Sequence, residues 1–183
     1  MLNFLRKSKI KNILENMGQL VGAYVKVAMM DSSSLKKSRN PQHPLPIELS
    51  GIQNLRNVAV TTSHIPILPD SSYSKNIVSI DKFETTFQHV GGVNLPKKTV
   101  CYGSNGKSYP QLIKGNDDLR QDAVMEQVFG MVNDLLKQNT ETRKRNLSIR
   151  TYKVIPLSPN AGLLEWVDNT LPLRLYLVEG PKQ

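Results

Sequence analysis

The stretch QLIKGNDDLRQDAVMEQVF, residues 111–129, joins two different periodicities across a run of charge. Upstream, SYPQLIK (108–114) alternates and ends on the apolar pair Leu112 and Ile113, which predicts a short strand closing on Lys114. Downstream, Val124, Val128, Met131 and Leu135 recur at helical spacing beside a second stripe of Met125, Phe129, Val132 and Leu136. An apolar face that wide predicts a helix buried on more than one side. Asn116, Asp117 and Asp118 mark its start, and Asp118 with Gln121 three residues on has the pattern of a capping box. Capping and the helix dipole account for Asp117 and Asp118 without any ligand, but not for Lys114 or Asp122. A lysine that ends an apolar strand either snorkels to solvent or meets an acid from the next helix. Asp122, on one polar stripe with Asp118 and Glu126, is placed to be that acid. Kinases hold an ammonium against nucleotide phosphates with such a pair, although spacing alone leaves a solvated ion pair open.

The rest of the chain bounds the answer. Its 183 residues suit one domain, or one domain with an attached helical segment, and carry a formal charge of +9 from 24 Lys and Arg against 15 Asp and Glu. That excess favours a phosphate-rich partner or serves solubility. Cys101 is the single cysteine, so no internal disulfide forms and a reducing compartment is expected. The most apolar stretch, residues 13–30, contains Glu15 and Lys26 and is periodic, with Ile13, Leu14, Met17, Leu20, Val21, Tyr24, Val25 and Ala28 on one face. It reads as a packing helix, with no membrane span and no secretion signal before it. Residues 31–51 hold three prolines and a serine cluster and are expected to be a surface connection.

From Ile77 the pattern is strand-like: NIVSIDKFETTFQHV, KKTVCYG, SYPQLIK, LSIRTYKVIPL and AGLLEWV, with a tight turn at Asn105–Gly106 and another at SPN (158–160). The expected class is α+β, a helical segment followed by an antiparallel sheet of about five strands with one inserted helix. GSNGKS (103–108) is not a phosphate loop of the Walker type, because Cys101 stands where its first glycine belongs and a strand containing Pro110 follows. TRKRN (142–146) lacks interleaved aromatics, so it reads as a solvated basic end of a helix and direct nucleic-acid binding is not expected.

Residues 91–167, from GGVNLPKKTVCYGSNGKSYPQLIKGNDDLRQD to SPNAGLLEWV, resemble the N-terminal lobe of the phosphatidylinositol 3-kinase-related protein kinases. KGNDDLRQD marks the superfamily, while GGVNLP and NTETRKR resemble its ataxia-telangiectasia-mutated (ATM) branch. Upstream, the helix of residues 9–30 and LRNVAVTTSHIPI resemble the end of the helical FAT region. The implied division is residues 1–50 as helical segment and connection and residues 51–183 as the kinase N-lobe.

The resemblance implies roles as well. Lys114 matches the phosphate-contacting lysine and Asp122 the acid that pairs with it, with Asp117 a second candidate. Gly91, Gly92 and Val93 lie in the loop that covers the phosphates. Leu164, Glu165, Trp166 and Val167 match the hinge, where backbone groups of Glu165 and Val167 bond the adenine edge and Trp166 covers its face; without the resemblance, Trp166 is a half-buried strand-end anchor. Tyr152 and Ile113 line the adenine pocket in this reading.

The implied ligand is ATP with Mg or Mn, whose metal ligands belong to the C-lobe. The G-D-R-H-x-x-N catalytic loop and the D-F-G-like motif of that lobe do not occur in this sequence, so no catalytic residue or metal ligand is assigned and the chain alone is expected to be inactive. The implied function is the ATP-binding lobe of a serine/threonine kinase of the nucleus, with the cytoplasm as a second location, in DNA-damage signalling and telomere maintenance, partnered by protein substrates and the C-lobe, with no membrane partner. A lipid-kinase lobe and a non-catalytic interaction module are the alternatives.

Overall fold

The structure, a computed structural model, describes residues 2–31, 42–65, 77–91 and 93–180. Helix α1 (Leu2–Met29) leads into a short strand β1 (Gln42–Pro44), one turn of helix α2 (Ile47–Ser50) and strand β2 (Gln53–Ala59). Strands β3 (Ser79–Phe83), β4 (Thr86–His89), β5 (Lys97–Gly103) and β6 (Ser108–Gly115) follow. Helices α3 (Arg120–Gln138) and α4 (Thr140–Lys144), strands β7 (Val154–Ser158) and β8 (Ala161–Glu165), and helix α5 (Leu173–Glu179) complete the described chain.

All eight strands join one sheet, ordered β1-β4-β5-β6-β8-β7, with β3 also on β5 and β2 outside β3. Their pairings are antiparallel. β3 and β4 share one edge of β5, β3 along Cys101–Gly103 and β4 along Lys97 and Lys98. They are one strand path interrupted at Glu84, whose amide still donates to Val100 O at 2.8 Å. The five expected strands are therefore present, and β1 and β2 extend the sheet beyond them. The β5–β6 hairpin turns at Gly106, φ 74°, as the Asn-Gly pair predicts.

LRNVAV does not belong to a helical region. Its residues Leu55 to Ala59 lie in β2, with Leu55 packed on the core, Val58 buried, and Val60, just past the strand, buried as well. Nor is the whole of 31–51 a surface connection: β1 pairs with β4, and Leu45 and Leu49 are buried. The packing stripe of α1 runs through Leu20, Ala23, Tyr24, Val27 and Ala28, while Leu14, Met17 and Val21 are exposed. Of the expected face, Leu20, Tyr24 and Ala28 are buried, while Ala23 and Val27, which were not placed on it, complete the packing stripe in place of Val21.

One face of the sheet forms the core with α1. Lys97, Thr99, Cys101, Gln111 and Ile113 all turn that way and are buried. Tyr24 Oη donates to Gln111 Oε1 at 2.7 Å, and Gln111 Nε2 donates to Thr62 Oγ1 at 3.1 Å, which satisfies the glutamine inside the core. The intervening residues Lys98, Leu112 and Lys114 face the other side by the strand's twofold alternation.

Helix α3 is not buried on several sides. None of its residues is buried, and Met131 is 67 % exposed. Nineteen helical residues span about 28 Å, whereas five-residue β7 offers about 17 Å to cover them. LSIRTYKVIPL likewise pairs only from Val154, because its first half is bound to α3: Asn133 exchanges two hydrogen bonds with the Ile149 backbone, 2.7 and 2.8 Å.

Candidate nucleotide site at the β6–α3 join

Lys114, next to last in β6, makes its ion pair with Asp117 over 3.0 Å. Asp122, the acid placed first by spacing, lies in the first turn of α3 instead. The reason is local: Asn116 takes a left-handed φ of 55°, which folds the chain back so that Asp117 meets the lysine three residues earlier. The turn is fastened across the sheet by the Asp117 amide, which donates to Asn160 O at 3.3 Å.

The capping box is also replaced. The residue before α3 is Leu119, fully buried, and Asp118 accepts from the Arg120 amide at 3.1 Å, Nε at 2.8 Å and a terminal guanidinium nitrogen at 2.6 Å. These Arg120 contacts hold the Asp118 carboxyl down at about 2. Asp118 is thus occupied by its own helix start, while Lys114 and Asp117 remain half exposed beside it.

The loop between β4 and β5 reaches the same turn. Val90 N donates to Pro96 O at 2.9 Å, closing the loop. Asn94 Nδ2 donates to Asn116 O at 3.1 Å, tying its tip beside Lys114. Gly91 is exposed and Val93 is 93 % exposed, whereas Gly92 lies outside the described residues. Asn94 was not singled out by sequence, although a polar side chain inside GGVNLP was the available signal.

At the far end of β8, Leu164 is buried and Glu165 exposed. The Glu165 amide donates to Lys153 O at 2.9 Å and the Trp166 amide to Pro110 O at 3.1 Å. The Val167 amide, at the sheet's end, donates to no acceptor among the described residues. Trp166 Nε1 donates to Asp168 Oδ1 at 2.9 Å, and Lys98 Nζ stands 3.9 Å from the indole centroid.

Tyr152 donates its amide to Glu126 at 3.0 Å. Burial, then Glu126 and Asp122, push its phenol up, with Lys114 opposing, so these groups share one electrostatic neighbourhood. A cavity of about 800 Å³ opens beside them between Tyr109, Glu126, Tyr152 and Glu165, without reaching Lys114. Of the residues expected around the adenine, Tyr152 and Glu165 line this cavity, whereas Leu164, Trp166 and Val167 do not, and neither does Ile113. Strand alternation sends it away from Lys114 into the core with Leu163, and it is Leu112, opposite Leu164, that shares the lysine's face.

A mixed helix and antiparallel sheet, with one helix at the sheet's edge and a paired lysine ending a central strand, defines a fold like that of a kinase N-lobe. The structure matches the solved "FAT and kinase domain of CtTel1" with a TM-score of 0.75 and 41 % identity, over 87 % of this chain and 12 % of that one. Residues 108–180 match the family described as phosphatidylinositol 3- and 4-kinase. The chain is 44 % identical over 173 residues to the serine-protein kinase ATM of Sus scrofa, covering 94 % of this chain and 6 % of that protein. It is 46 % identical over 170 residues to the ATM serine/threonine-protein kinase of Arabidopsis thaliana, covering 91 % and 4 %. It is 51 % identical over 117 residues to the serine/threonine-protein kinase tel1 of Schizosaccharomyces pombe, covering 63 % and 4 %. The chain belongs to the phosphatidylinositol 3-kinase-related kinases, in the ATM/Tel1 branch, and spans a small fraction of those relatives' length.

Proposed function

We propose that this chain is the ATP-binding lobe of a serine/threonine protein kinase of the ATM/Tel1 type. The observation that carries the reading is the Lys114–Asp117 pair at 3.0 Å, with the Asn94 end of the β4–β5 loop fastened to the same turn. Lys114 is the point charge for the nucleotide phosphates, Asp117 holds it, and the loop from Gly91 to Pro96 lies over them. The Val167 amide, without an acceptor among the described residues, supports a hinge that bonds the adenine edge, with Trp166 against the base. Mg or Mn bound by a C-terminal lobe supplies neutralisation of phosphate charge during transfer. The 183 residues contain no G-D-R-H-x-x-N, so the chain alone transfers no phosphate in this reading.

Protein substrates, nuclear action, DNA-damage signalling and telomere maintenance follow from the same resemblance. The lipid-kinase alternative is disfavoured because relatives at 44–51 % identity are named protein kinases. The test is calorimetric titration of the chain with MgATP. Lys114→Met should weaken binding at least about tenfold, a loss of about 1.4 kcal/mol, with an unchanged melting temperature. Equal affinity in the two chains would sink the assignment of Lys114.

A further inference from the structure

Lys97 and Lys98 are adjacent on β5 and have opposite fates. Lys97 turns into the core, 2 % exposed, and Lys98 turns to the face that carries Lys114. Register places Lys98 opposite Leu112, and Leu112 opposite Leu164, so the three form one row across β5, β6 and β8. From that row the Lys98 ammonium reaches diagonally to stand 3.9 Å from the centroid of Trp166.

Trp166 is fixed three times. Its amide is bonded to Pro110 O, its Nε1 to Asp168 Oδ1, and its ring face is taken by Lys98. The ring is half buried at the sheet's end, and these three contacts set its orientation. Its next neighbour is the Val167 amide, which has no acceptor among the described residues. A planar ligand bonded to that amide comes beside the indole, so the ring's orientation matters to it.

We propose that Lys98 is a positioning residue of the nucleotide site, which clamps the Trp166 indole in the plane against which an aromatic base stacks. The inference rests on the hinge reading above and adds a residue to it. The ammonium acts through the indole and touches no reacting atom.

Trp166 is the only tryptophan, so fluorescence excited at the indole, beyond the absorption of the six tyrosines, reports the surroundings of this one ring. In the chain without nucleotide, Lys98→Met should free the ring and raise acrylamide quenching, while Lys98→Arg, whose guanidinium also stacks on indole, should restore the wild-type value. Affinity for MgATP should fall about two- to fivefold in Lys98→Met and recover in Lys98→Arg, with equal melting temperatures throughout. Quenching that ignores Lys98→Met overturns the clamp. Quenching that rises while affinity stays unchanged overturns the positioning role and leaves a surface contact. A wild-type chain that binds no MgATP overturns both this inference and the nucleotide reading. Wild-type binding that Lys114→Met preserves and Lys98→Met weakens refutes the Lys114 assignment alone.

Discussion

Lys97 donates its ammonium to the main-chain oxygen of Ala28 over 3.2 Å, joining the root of the β4–β5 loop to the last turn of α1. Burial lowers the pKa of this lysine, and attraction to Asp31 only partly opposes it. The charged form therefore gains less from its partners than it loses in desolvation. Lys97→Met, which keeps the stem and removes the charge, should stay within about 1 kcal/mol of wild type in urea unfolding. A loss beyond about 3 kcal/mol would show that the ammonium is a net stabiliser.

Gly115, the last residue of β6, approaches the same end of α1. A Cβ there meets the Ala28 carbonyl, which is backbone and cannot swing aside. Gly115→Ala should cost about 1–3 kcal/mol by overpacking, and should also disturb Lys114 next to it. A melting temperature equal to wild type would contradict this packing.

The buried chain from Tyr24 through Gln111 to Thr62 predicts the effect of one oxygen atom. Tyr24→Phe preserves the ring, including its edge-on contact with Phe83 at 5.8 Å, and leaves Gln111 Oε1 without its donor. The expected cost is about 1–3 kcal/mol, measured by chemical unfolding. Gln111→Leu combined with Tyr24→Phe should recover part of it, since both ends of that bond are then apolar.

His89 gives the fold a pH dependence. It stands opposite Lys97 in register and 5.3 Å from the His43 ring, with Phe87 at 5.2 Å. Burial first, then His43 and Lys97, lower its pKa against an opposing contact with the Leu95 backbone. Between the folded value and the unfolded value of about 6.5 the unfolded chain binds more protons, so stability is full above this window and falls as pH drops through it. Melting curves from about pH 8 to 5 should show that decline, and His89→Phe should flatten it.

The two acids beside Lys114 should separate by role. In a full-length kinase, Asp117→Asn should free Lys114 and lower the rate by about tenfold or more, whereas Asp118→Asn loosens only the Arg120 contact at the start of α3. Rates at saturating ATP with melting curves alongside check this, and equal losses would return both acids to helix-start structure.

The sequence by itself determined the local elements. Alternation in SYPQLIK and KKTVCYG, the Asn105–Gly106 turn and the helical period from Val124 onward each rest on interactions within a few residues, and each element is where they place it. GGVNLP and KGNDDLRQD brought the family into view as well.

What the tertiary structure decided was which partner each residue meets. Spacing could not tell Asp117 from Asp122, because the choice lies in a left-handed turn at Asn116. It could not say which of Lys97 and Lys98 is buried, although alternation required them to part, because the side of the sheet that α1 covers is set far along the chain. Ile113 was misplaced on the same account. Periodicity separates two faces of a strand but does not label them; packing against a distant element does.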